Sequence, residues 1–111
     1  RREEPDMSLI SKLIGEPEIR ALDAQSKAEI KGLINKLVKI GKTDDFLSLQ
    51  PGGPFDGQFH HREAKDIGRR VYQIGGLPLM MAVRMTIQNK MGPVMAEHLD
   101  HCWKGVGDWQ A

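Results

Sequence analysis

Apolar residues in this 111-residue chain return every third or fourth position, and no stretch reads as the sustained alternation of a half-buried strand. The first spacing lines one face of an α-helix with core side chains, whereas a sheet needs the period of two. The sequence therefore predicts an all-α fold: a compact bundle of four to five helices with one long irregular loop at about residues 43–60. Residues 1–111 read as a single helical domain, with a frayed start at 1–5 and a helical core at 61–104. At this length one core can form without metal or disulfide support.

The clearest element runs from Ser26 to Ile40, where Ile30, Leu33, Ile34, Leu37 and Val38 form one stripe. Ser26 and Glu29 have the spacing of a capping box, and Asp23 is the rival N-cap. Gly41 suits a left-handed stop. Upstream, Leu9, Ile10, Leu13 and Ile14 form a shorter stripe, and Pro17 opens a brief helical turn with Ile19 and Leu22 as its apolar contacts.

Residues 43–60 combine prolines, glycines and aspartates and break every period. Phe46, Leu47, Phe55 and Phe59 are expected to pin this connection to the bundle. Helical spacing resumes at 61–74 through Ala64, Ile67, Val71 and Ile74, with Gly68 leaving room for a close neighbour. Arg62, Asp66 and Arg70 have the spacing of i, i+4 ion pairs on its outer face. Gly75 and Gly76 end that helix and Pro78 opens the next. Residues 78–91 are apolar nearly all round, with Arg84 and Gln88 marking an outward strip. Gly92 and Pro93 precede a last helix at about 94–104, and Gly105 and Gly107 allow Trp109 to fold back.

Signatures of chemistry are sparse. Gly41-Lys42-Thr43 ends like a phosphate loop, but the glycine required five positions earlier is Lys36, and the string closes a helix instead of opening one. Gly105-Val106-Gly107 lacks the third glycine of a dinucleotide fingerprint. Asp44 and Asp45 are adjacent, without the apolar shielding that splits a carboxylate pair into acid and base. Cys102 has His98 one turn away, yet no oxyanion donor or orienting third group accompanies them. The reading leans away from an enzyme, and no cofactor is expected.

Three non-catalytic possibilities remain. His98 and Cys102, with His60 or His61, have spacing that can hold a transition metal, although unpaired helical His/Cys spacing has low specificity. Lys27, Lys31 and Lys39 can join Arg69 and Arg70 in a basic ridge that attracts phosphates. Against nucleic acid stand a formal net charge of +1, a pI near 8.1 and the absence of interleaved aromatics. Finally, five of the six methionines fall between Met80 and Met95. Methionine fills irregular cores and also lines adaptable binding surfaces.

This last feature carries the expected function: a non-enzymatic helical interaction module or accessory subunit that docks to a larger protein assembly or to a second copy. Met80, Met81, Met85, Met91 and Trp109 are its candidate contact residues. The single cysteine fits a reducing, intracellular compartment, either cytoplasm or an organelle interior after removal of an N-terminal segment. No apolar run is long enough for a membrane span.

Overall fold

Asp23 sets the start of the longest amphipathic stripe. In the computed structural model, which describes residues 17–42, 59–107 and 109, the Asp23 carboxylate accepts the backbone N–H of Ser26 at 2.7 Å. The helix begins at Ala24, after a helical turn at residues 17–20 (α1), and runs to Gly41 (α2). Asp23, not Ser26, is thus the N-cap. Its carboxylate gives a charge-assisted bond at the positive helix end, which holds its pKa below the usual carboxylate value.

The other half of the expected capping box is used elsewhere. Glu29 accepts two hydrogen bonds from Arg70, at 2.6 and 2.9 Å, and so ties α2 to the following helix. The expected pairing of Asp66 with Arg70 is corrected accordingly: Asp66 binds Arg69 at 2.6 Å, one residue short of the i, i+4 spacing. Gly41 also departs from expectation. The helix passes through it and is capped at Lys42, in ordinary right-handed geometry. Gly41 is buried, and a Cβ there would lie 2.9 Å from both Met91 Cε and Met95 Sδ. Gly41 gives room here to the ends of the Met91 and Met95 side chains and makes no left-handed turn.

The next element, α3, spans Phe59–Met91 and is broken at Gly76, whose φ of 70° and ψ of −163° interrupt the helical path. Its two arms match the two helices read from Gly75-Gly76 and Pro78. After Gly92, with φ of 93°, Pro93 opens α4, Pro93–Trp103. All described regular structure is helical, and α3 packs against both α2 and α4. No described helix is long and apolar enough to cross a membrane. Of the loop expected at 43–60, Phe59 and His60 instead open α3; residues 43–58, the stripe at 9–14 and the frayed segment 1–5 lie outside the described residues.

The core forms where the stripes meet. Ile30 and Leu37 from α2, Val71 and Ile87 from α3, and Leu99 and Trp103 from α4 are fully buried. Trp103 has a dedicated seat: its indole N–H donates to the Ala64 carbonyl at 2.9 Å, and its ring lies over Gly68. Gly105 and Gly107, both at positive φ, then bring Trp109 edge-on to Trp103, with centroids 5.1 Å apart. Edge-to-face geometry places a positive ring edge on a negative ring face.

Candidate functional site

The methionine-rich arm of α3 divides sharply. Met80 is fully buried, together with Leu79, Val83 and Ile87. Met81, one residue on and 100° around the helix, is 58% exposed. Met85 and Met91 are half-buried, and Met91 packs against the core. Trp109, at 7%, is a core residue packed edge-on against Trp103. Of the five expected contact residues, Met80 and Trp109 are therefore spent on intramolecular packing. Met81 is the one of the five that is exposed, with half-buried Met85 one turn on.

The supposed outward strip beside them is a cross-link. Arg84 donates to both carboxylate oxygens of Asp100, at 2.6 and 2.9 Å, and to Gln88 at 3.0 Å. Both members of the ion pair are about one-quarter exposed. The Asp100 hydrogen bonds raise the Arg84 pKa further above its ordinary value. Arginine's planar fork fits a carboxylate in two places at once, so this pair fixes orientation as well as distance between α3 and α4. Helical spacing alone had no means of assigning Asp100 as the partner, because the two residues lie on different helices.

The basic ridge is reorganised in the same way. Arg69 and Arg70 are engaged by Asp66 and Glu29. The Arg70 hydrogen bonds hold the Glu29 pKa below its ordinary value. Lys31 and Lys39 remain exposed on α2, and Lys27 is half-buried at the edge of that face. The exposed surface also includes Lys36 and Lys42, which were not among the expected ridge residues. Their signal was present in the sequence: continuing the helical period of Ala24–Gly41 through the cap at Lys42 puts both on the outer side.

The histidine and cysteine side chains are distributed differently from the expected His98–Cys102 chelate. His98 is buried and its Nδ1 donates to the Val94 carbonyl at 2.9 Å, one turn back on its own helix. Cys102 instead meets His61 of α3, with Sγ and Nδ1 3.4 Å apart, and both residues are buried. His101 is half-buried, with its ring centroid 5.8 Å from that of His61. His60 pairs with Glu63 at 3.3 Å. Among the described residues, no three His, Cys, Asp or Glu side chains are grouped to hold a metal ion. The Cys102–His61 pair is a thiol–imidazole hydrogen bond across the α3–α4 junction. A wholly buried thiol offers no path for a substrate to reach the sulfur.

Comparison of the chain with protein-family models, curated proteins and solved structures gives no match.

Proposed function

We propose that this chain is a non-enzymatic helical interaction module that docks to a protein partner through the uncovered side of the second arm of α3. The observation that carries this reading is Met81. Its neighbours Met80 and Ala82 are buried, yet it presents a flexible thioether side chain at 58% exposure. Burying a methionine stabilises an association by about 1.5–3 kcal/mol, and methionine adapts its shape to a partner at little strain. The Arg84–Asp100 bridge supports the same reading, because it ties α3 to α4 three residues beyond Met81. A surface fixed before binding loses less conformational entropy on association.

The test is Met81→Asp in the full chain, with association followed by light scattering and by co-purification from the native source. The expected result is loss of a defined associated species while the thermal melt stays within about 0.5 kcal/mol of wild type, as for an exposed position. Equal association by wild type and variant would remove the docking reading. So would unfolding of the variant, which would show that Met81 belongs to the core.

A further inference from the structure

A second surface lies along α2, apart from the Glu29 carboxylate that Arg70 engages. The apolar side of α2, comprising Ile30, Ile34, Leu37 and Ile40, is buried. Its outward side carries Lys31, Lys36, Lys39 and Lys42, all exposed, with Lys27 at the border. No described carboxylate pairs with any of these five lysines, and Glu29, the helix's one acidic residue, is turned to Arg70. From Lys27 to Lys42 the face runs about 22 Å at 1.5 Å per residue. Between the lysines the exposed positions are Ala28, Gly32 and Asn35, all with small side chains. A Cβ at Gly32 would meet nothing within 4 Å, which leaves the middle of the face smooth and open.

We infer that this face binds the phosphate backbone of duplex nucleic acid. Charge complementarity requires a polyanion, and three physical arguments choose among polyanions. Protein interfaces centre on buried aromatic, methionine or arginine anchors and are depleted of lysine; this face has no such anchor. Helices that lie on anionic membranes insert an apolar side into the lipid, but the apolar side of α2 is consumed by the core. Single strands are held by stacking on aromatic rings, and the outward side of α2 has none. A duplex backbone needs only rows of fixed cations, whose binding is driven by release of condensed counterions. Contact with phosphates instead of base edges makes the binding independent of sequence. The near-neutral total charge does not oppose this, because the relevant field is that of one face.

The experiment is fluorescence anisotropy of a labelled 20-base-pair duplex titrated with the full chain at several salt concentrations. Neutralisation of about five phosphates gives a log–log salt slope on the order of −4, and each lysine removed makes it shallower by about 0.9. Lys31→Gln/Lys39→Gln is expected to reduce the steepness by about 2 with an unchanged circular-dichroism spectrum. Arg69→Gln, which removes an arginine already paired with Asp66, is expected to leave it almost unchanged. Absence of binding at low salt, or a double variant with the wild-type slope, would overturn the inference. Binding of polyglutamate or of phosphatidylserine vesicles as tight as that of the duplex would overturn its assignment to nucleic acid. The Met81→Asp protein should bind the duplex like wild type, so this inference and the docking proposal stand or fall separately.

Discussion

Replacing Gly68 by alanine tests the packing of the core against a strong opposing preference. In a helix interior alanine is favoured over glycine by roughly 0.5–1 kcal/mol, so local propensity alone calls for stabilisation. The Trp103 ring opposes it. A Cβ at position 68 would lie 2.5 Å from Trp103 Cδ1 and 2.6 Å from Nε1, where carbon contacts normally settle at about 3.5–4.0 Å. The indole has no easy retreat: it is fully buried, its N–H is bonded to Ala64, and Trp109 stands against it. Overpacking of a filled core costs about 1–3 kcal/mol. The expected net effect is destabilisation by about 1–2 kcal/mol, and for a chain of this size Tm moves by about 4 °C per kcal/mol.

Gly32→Ala is the matched control, since nothing lies within 4 Å of the added carbon; it should stabilise by about 0.5–1 kcal/mol. Urea unfolding followed by tryptophan fluorescence and circular dichroism gives both values. Trp103→Phe removes the atoms that the new Cβ strikes, so combining it with Gly68→Ala should cost less than the sum of the single changes. The seat for Trp103 would be refuted by a Gly68→Ala protein that gains stability as Gly32→Ala does.

Two further predictions concern the ion pairs. Asp100→Ala should destabilise the chain by about 1.5–3 kcal/mol, because it leaves the half-buried Arg84 guanidinium without its bidentate acceptor; a denaturation midpoint equal to wild type would show that the bridge contributes nothing. Glu29 and Asp23 have folded pKa values below their unfolded ones, so their stabilisation is present above about pH 4 and is lost as pH falls through the folded values. Urea midpoints should therefore decline on acidification, and Glu29→Gln should have a flatter decline than wild type.

The local elements of this protein were legible because their causes are local. A period of 3.6 in apolar residues is enough to place Ile30, Ile34 and Leu37 on one side of α2, and Gly76 and Gly92 mark breaks because left-handed backbone is easy for glycine alone. The same local view misread Ser26 as the cap, because Asp23 could be chosen only with its carboxylate seen on the Ser26 N–H. It misassigned Gly41 as a stop, since the methionines that crowd it come from α3 and α4.

The candidate sites divide along the same line. That α3 carries too many methionines for one polar-faced helix was plain from the residue order. Which of them faces outward depended on how α4 and α2 close around the arm: Met80 is enclosed, and Met81 is left outside. The meeting of His61 with Cys102 spans 41 positions, and that of Arg84 with Asp100 spans 16. Side chains so far apart in the chain become neighbours only when helices pack. Residue order thus determined the helices and their breaks through backbone preference and hydrophobic period. Packing decided the partners of the interhelical charges and which side chains of α3 stay exposed, because those depend on distances that no single helix contains.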